Sequence, residues 1–250
     1  MIDPTKVDEA LAMQDELNQF KRNDVWDVVP NPEHKNIIGT KWVFRNTLNE
    51  QGEVIRNKAR LVSQGYSQQE GIDNTETFAP VARLEAIRLL LSYAVNRNIT
   101  LYQMDLKSAF FNGVIYEEVS VKQPPRNLDY VYKLKKSLYG LKQAPRAWYH
   151  RLSNFLLKND FKRGQVDTTL FKMTLEKDIL IVQIYVDDII FGSTNASLCK
   201  EFSMLMQEEF EMSMMGELKF FLGIQINHCK DGVYVHQSKI YQGASEEVQA

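Results

Sequence analysis

Two adjacent aspartates, Asp187 and Asp188, interrupt an otherwise almost wholly apolar run, "IVQIYVDDIIFG", residues Ile181–Gly192. Neighbouring carboxylates repel, so the doublet requires either open water around a turn or a cation between its oxygens. A solvated turn is the plain reading, because Asp caps its own backbone and tolerates turn geometry. The flanks argue for more. Turns of that kind usually lead into half-polar strands, whereas apolar residues on both sides predict a turn held rigidly by a buried hairpin. Asp105, at the end of "ITLYQMDL", offers a third carboxylate on another buried strand, which an antiparallel neighbour can bring to the doublet. At an effective dielectric of about 20, unit charges roughly 4 Å apart repel by about 4 kcal/mol, so three ionised aspartates favour a bound divalent cation. Oxygen donors with no His or Cys nearby select Mg²⁺ or Mn²⁺. Two such ions activate an attacking hydroxyl and stabilise a leaving phosphate oxygen, which is phosphoryl-transfer chemistry.

The elements that must position these groups follow from periodicity. Residues 1–35 read as a polar, peripheral helix, "DEALAMQDELNQFKRN", stopped by the Pro-rich "VVPNPEHKN". From Gly39 to Gln68 short β-rich runs flank a turn at Glu50–Glu53 and predict a hairpin rich in basic residues. Leu84, Ile87, Leu91 and Val95 recur at helical spacing, and "ITLYQMDL" follows as a buried strand. "EEVSVKQPP" and "YVYKL" form a second hairpin, and a helix begins at Pro145 with Trp148, Leu152, Phe155 and Leu156 on one face. Strand, turn and strand then carry the doublet. A helix with Leu198, Phe202, Leu205, Met206 and Phe210 follows, and "LKFFLGIQI" gives a strand pair. The order predicts an α+β domain with one antiparallel sheet and helices packed on one face.

Composition bounds the rest. The chain has 250 residues, 44% of them hydrophobic, enough for a sizeable core. Thirty Lys and Arg against 32 Asp and Glu give a net charge of −2, so a polyanion site must come from local clustering. The N-terminal residues are acidic where a secretory peptide is apolar, and no stretch is long and apolar enough to span a bilayer, which predicts an intracellular, cytoplasmic protein with no membrane partner. Two cysteines, Cys199 and Cys229, suit a reducing compartment and supply no disulfide framework. "HCKDGVYVH" holds an incomplete zinc ligand set and reads as a surface hairpin around Asp231 and Gly232.

"QMDLKSAFFNG", "KSLYGLKQAPRAWY", "IYVDDIIFGS" and "FLGIQI", together with "KWVFR", "KARLVSQGYSQQEGID" and "ETFAPVARL", resemble in order the successive motifs of the reverse transcriptase of copia-type retrotransposons, over nearly the whole chain up to about Ser238. One YxDD is a weak signal; the ordered set is specific. The resemblance implies a right-hand polymerase with fingers over residues 36–100, a palm over 101–230 interrupted by a fingers-side hairpin at 117–140, and a largely absent thumb. It implies RNA-directed DNA synthesis from dNTPs on an RNA or DNA template-primer, with two Mg²⁺ or Mn²⁺ ions held by Asp105, Asp187 and Asp188. Asp187 is the firmer ligand of the doublet. Lys58 and Arg60 match positions that neutralise the incoming triphosphate, the alternative being solvated strand charges. Phe110 falls where an aromatic gate excludes the ribose 2′-hydroxyl, the alternative being a core Phe beside Phe111. Gln143 matches a dNTP contact. Tyr139, Gly140, Lys142 and Arg146 match the segment along the nascent base pair, with Gly140 allowing close backbone approach. Lys133, Lys135, Lys136, Lys142, Arg146 and Arg151, interleaved with Tyr132, Tyr139, Trp148 and Tyr149, form a basic aromatic patch, although Trp148 itself reads as core. Phe221, Leu222 and Gly223 match the primer-grip hairpin. The partners implied are the RNase H, integrase and protease segments of a Pol polyprotein.

Three places depart from the family pattern. A Trp-containing stretch expected before Ala12 is missing. "RNLDY" follows Pro125 where a longer segment is expected, which predicts a small deletion. The tail "IYQGASEEVQA", residues 240–250, lacks the helix expected there, and dropping one nucleotide from a suitable codon choice restores Tyr-Thr-Lys-Glu-Leu-Leu-Lys-Lys-Phe, so residues 231–250 are expected to be a hairpin and an out-of-frame tail. These departures keep open an inert remnant that retains at most nucleic-acid binding.

Overall fold

The computed structural model of the chain describes residues 7–33, 35–48, 54–123, 129–229 and 232–236. The expected turn at 50–53, the deletion at 124–128, the tip of the last hairpin at Asp231 and the tail at 240–250 lie outside the described residues, as do the side chains of His228 and Cys229. Along the chain the elements are α1 (Val7–Arg22), β1 (Trp26–Pro30), β2 (Ile37–Ile38), β3 (Thr40–Leu48), β4 (Val54–Ser63) and α2 (Leu84–Asn96). β5 (Thr100–Leu106), β6 (Ser120–Lys122), β7 (Tyr130–Leu134) and α3 (Ala144–Lys158) follow, then β8 (Lys162–Arg163), β9 (Leu170–Leu175), β10 (Asp178–Tyr185) and β11 (Asp188–Ser193). The last are α4 (Ala196–Glu209), β12 (Met212–Glu217), β13 (Phe220–Phe221), β14 (Ile224–Cys229) and β15 (Gly232–His236). The α+β class is as expected.

Two compact units divide the chain, one drawn from residues up to Ala79 together with Ser108–Asn154, the other from Pro80–Lys107 together with Phe155 onward. The units group the elements differently from the expected segments. α1 and β1 are integral to the first unit, α2 belongs to the second, and the segment from Ser108 to Asn154 belongs wholly to the first. The physical reasons lie in which apolar faces meet.

In the first unit β1, β7, β6 and β2 form a four-stranded sheet in that order, with β2 parallel to β6, and β3 pairs with β4 as a separate hairpin. α1 is polar on most of its circumference, yet Ala12, Glu16 and Phe20, four residues apart, are buried on one stripe. Phe20 lies 4.1 Å from Trp26 and 4.6 Å from Phe111, centroid to centroid, and Trp26 stacks on Tyr132 at 4.0 Å. These contacts make the helix a core element. Ala59 and Leu61 of β4 are buried on one face of the hairpin, while Lys58 and Arg60 alternate onto the other. α3 carries Pro145 in its first turn, where the missing N–H costs nothing. Trp148 is fully buried, as its spacing indicated.

In the second unit one antiparallel sheet runs β12-β5-β11-β10-β9-β8, and β13, β14 and β15 form a smaller one. The central strands β5, β10 and β11 carry apolar residues at consecutive positions, so both faces of the sheet need cover. Leu101, Ile181 and Ile190 pack with Ile87, Leu90 and Leu91 of α2 and with Phe221 and Ile224. On the opposite face Phe191 meets Phe202 of α4 at 4.9 Å. Helices therefore lie on both faces, not one.

Candidate active site

Asp105 and Asp188 are direct cross-strand partners on β5 and β11, two central strands of the six-stranded sheet. Paired residues on adjacent strands carry Cβ atoms about 5 Å apart on one face. The doublet is split between two kinds of structure. Asp188 opens β11 opposite Tyr185, and Val186 and Asp187 are the two residues of the turn. The turn is fastened from β5, whose Leu106 N–H donates to the Asp187 carbonyl at 3.2 Å. Val186 stands at φ +53°, an outlier for a β-branched residue and the mark of a turn its surroundings impose.

All three aspartates are half-buried. Burial first, and then the charges of Asp187 and Asp105, push the Asp188 carboxyl above the usual range, while a hydrogen bond from Gln103 opposes the rise. The Gln103 carboxamide donates from Nε2 to Asp188 Oδ1 at 2.8 Å. Among the described residues no group of three or more His, Cys, Asp or Glu stands gathered on one point to hold a metal ion. The donor chemistry nonetheless fits a hard divalent cation. Mg²⁺ is characteristically held by one or two carboxylates together with substrate phosphates rather than by a full protein cage.

The first unit gathers other expected residues. The Arg60 guanidinium lies 4.5 Å over the Tyr139 ring, and Phe110 meets the same ring edge-on at 4.8 Å. Phe110 stands in a 3₁₀ turn, Ala109–Asn112, entered through Ser108 at φ +56°. Lys41, Val43, Arg45, Lys58, Arg60 and Val62 share one face of the β3–β4 hairpin by register. Sequence reading singled out Lys58 and Arg60 and missed Lys41 and Arg45, although strand alternation places all four together.

The chain matches the family model described as reverse transcriptase (RNA-dependent DNA polymerase) over residues 23–246. It is 39% identical over 234 residues to the retrovirus-related Pol polyprotein from transposon RE1 of Arabidopsis thaliana, covering 91% of this chain and 16% of that protein. It is 34% identical over 229 residues to the corresponding polyprotein from transposon TNT 1-94 of Nicotiana tabacum, covering 89% and 17%. This chain belongs to the reverse transcriptase family, in its copia-type branch. It spans about a sixth of the length of those polyproteins. The match runs past Lys239 and so lends no support to a break in reading frame there. Among solved structures, a foamy viral protease-reverse transcriptase in complex with double-stranded DNA covers 93% of this chain and 36% of its own, at 12% identity and a TM-score of 0.44.

Several expectations for this reverse transcriptase domain change on inspection. Gln143 is 3% exposed and spent internally: its Oε1 accepts from Gln68 at 2.9 Å and its Nε2 donates to the Asp73 carbonyl at 2.8 Å. Its carboxamide stitches two loops together and is not presented to a nucleotide. Gly140, at φ +89°, does permit a close approach, but to the protein itself, since a Cβ there would stand 2.1 Å from the Ser63 carbonyl oxygen. The basic aromatic patch is largely neutralised. Lys133 pairs with Glu118, Lys135 with Asp24 and Asp27, and Arg146 with Glu76, while Lys136 donates to the Asn23 carbonyl. Lys142 reaches the Gln68 carbonyl at 3.3 Å. No such pair among the described residues engages Lys41, Arg45, Lys58 or Arg60, so the cationic surface lies on the hairpin instead. Phe221 is buried against Tyr185 at 5.5 Å and belongs to the core. Beside it Leu222 and Gly223 form a two-residue turn with φ of +50° and +76°, and Leu222 is 41% exposed.

Proposed function

We propose that this chain is an RNA-directed DNA polymerase domain that extends a primer 3′-hydroxyl with dNTPs by two-metal nucleotidyl transfer. The observation that carries the reading is the direct pairing of Asp105 with Asp188 and the strained turn that sets Asp187 beside them. Mg²⁺ or Mn²⁺ ions, when bound by these carboxylates, supply the charge that activates the primer hydroxyl and stabilises the departing pyrophosphate. The chain's own residues do the rest. β5 carries Asp105 and the β10–β11 hairpin carries Asp187 and Asp188 to the same end of the sheet. Lys58 and Arg60, which make no ion pair among the described residues, meet the triphosphate as a point charge and a planar fork. Phe110 closes the space of a 2′-hydroxyl, steadied by Tyr139. Tyr139, the Gly140 backbone, Lys142 and Arg146 line the template-primer, Arg146 exchanging Glu76 for phosphate. The Leu222–Gly223 turn carries the primer contact, with Phe221 as its buried root. In a complete element the domain works in the cytoplasm beside the RNase H, integrase and protease segments of its polyprotein.

A second reading is nucleic-acid binding without chemistry, favoured by the cationic face of the hairpin and, among the described residues, by its lack of ion pairs and the lack of a gathered ligand trio. Primer extension on a homopolymer RNA template, with Mg²⁺ or Mn²⁺ and alongside a binding assay, separates the two. Extension that requires metal and dNTP supports the polymerase, whereas tight binding of primer-template with no extension in either metal selects the binding module.

A further inference from the structure

The doublet raises a question that the pairing of strands does not answer: what keeps the Asp188 carboxyl in one orientation on a half-buried surface shared with two like charges? The backbone fixes its Cβ, but rotation about its side-chain bonds remains. Gln103 lies two residues before Asp105 on β5 and therefore on the same face. Its register partners are Ile190 on β11 and Gly216 on β12, so it sits one step along the sheet from the Asp105–Asp188 pair and diagonal to Asp188. From there Nε2 donates to Asp188 Oδ1 at 2.8 Å, a charge-assisted bond across 85 residues of sequence.

We infer that Gln103 is a positioning residue of the polymerase centre, which pins Asp188 Oδ1 and thereby presents Oδ2 as its single metal-facing oxygen. The inference rests on the polymerase reading and names a group that reading does not use. A Gln suits the task and a basic residue does not. The carboxamide donates one hydrogen bond without a formal charge, so it orients Asp188 and leaves the negative charge of the three aspartates for the cation. A Lys or Arg at the same position would neutralise the carboxylate and compete with the metal. Buried Gln183, on the same face one strand beyond β11, is directed elsewhere: its amide donates to Thr169 Oγ1 at 2.6 Å and to Asp167 Oδ2 at 3.4 Å.

The test uses the whole chain and the bare ion. Mn²⁺ affinity is read from the loss of the free-ion electron paramagnetic resonance signal, without nucleotide or primer, for the parent, Gln103→Leu and Gln103→Asn, with thermal unfolding of each. Loss of an outer hydrogen bond to a metal ligand typically weakens metal binding about 10–100-fold. Gln103→Leu should weaken Mn²⁺ by about tenfold, and the Mg²⁺ concentration for half-maximal primer extension should rise in step, with extension recovering at saturating metal. Gln103→Asn, one methylene too short to reach Oδ1, keeps a polar side chain at a half-exposed site and should repeat the loss should the Leu variant fold poorly. Unchanged Mn²⁺ affinity in a folded variant, whatever happens to its unfolding temperature, overturns the inference and leaves the polymerase reading standing. A parent chain that binds no Mn²⁺ and extends no primer overturns both.

Discussion

The loop network of the first unit and the aspartate turn of the second fix their geometry in opposite ways. Around Gly65, Gln68, Asp73 and Gly140 the chain is fixed by redundancy. Ser63 N–H donates to the Tyr139 carbonyl at 2.7 Å, Gln68 and Gln143 share bonds with each other and with Asp73, and Asn36 reaches the Asp73 carboxylate at 2.6 Å. Gln68 and Gln143 engage both ends of their buried carboxamides, where leaving one end unmet would be costly, and two backbones approach so closely that only glycine fits. The turn at Val186–Asp187 is held in another way. It is fixed by stiffness, between two buried strands strong enough to impose a left-handed valine and to hold like charges together. Redundant bonds suit a scaffold that must not move, whereas imposed strain and repulsion suit a site whose energy a ligand is to relieve.

The comparison breaks most sharply at the aspartates. Asp105→Asn or Asp187→Asn should lower primer extension by at least about a hundredfold, the scale of losing one principal transition-state contact. Neither should lower the unfolding temperature, because removing a like charge relieves repulsion. Variants that extend normally would remove these residues from the chemistry. Gly140→Ala should be read first in stability. The added Cβ meets the Ser63 carbonyl oxygen at 2.1 Å and φ is +89°, so the variant should lose about 3 kcal/mol of stability, judged from overpacking and left-handed strain. Denaturant unfolding measures it, and a loss below about 1 kcal/mol would mean that the network yields more easily than its bonds suggest.

Glu16 sharpens the contrast, since it is a like-for-unlike intrusion into the scaffold. Burial pushes its carboxyl from 4.5 up to about 7, against the Leu61 N–H and the charge of Arg60, and its Oε1 has no hydrogen-bond partner among the described residues. The folded state therefore holds the proton more tightly than the unfolded chain. Stability should fall as pH rises from about 4.5 to about 7 and stay low above it. At about 1.4 kcal/mol for each pH unit of separation, ionising Glu16 costs on the order of 3 kcal/mol. Glu16→Gln should match the parent near pH 4 and exceed its stability at pH 8, with the difference opening across that window. A difference that does not vary with pH would place the carboxylate in contact with water.

How much of this was legible in the sequence depends on how far apart the interacting residues lie. β10 and β11 announce themselves through branched apolar runs and β5 through "ITLYQMDL", and the pairing of Asp105 with Asp188 follows from one strand that closes near an Asp and an antiparallel neighbour that opens on one. β12 did not, because "MSMMGE" is methionine-rich and its register shifts near Gly216. α1 looked peripheral because its buried stripe includes a glutamate. The basic patch looked exposed because its acidic partners, Asp24, Asp27, Glu76 and Glu118, are supplied by other elements that fold against it. Gln143 looked available because its partners lie 70 and 75 residues away. Local pattern reveals which faces are apolar; it does not reveal which polar groups are already spoken for.

The smallest expected effect tests the strain itself. Val186 is the first of two residues linking Tyr185 to Asp188, and its φ of +53° is one that an L side chain adopts at roughly 1–2 kcal/mol above glycine. Val186→Gly removes that cost, but it adds about 0.5–1 kcal/mol of backbone freedom to the unfolded chain. The two terms nearly cancel, so thermal unfolding should show a gain of less than about 1 kcal/mol. Activity should move the other way and fall several-fold, because a glycine turn no longer dictates where Asp187 stands relative to β5. A scaffold loop relieved of strain has no reason to lose function, so the opposed signs of the two measurements are what mark this turn as part of the site. Should Val186→Gly lose stability while extending primer as the parent does, the turn is not strained and its stiffness contributes nothing to the chemistry.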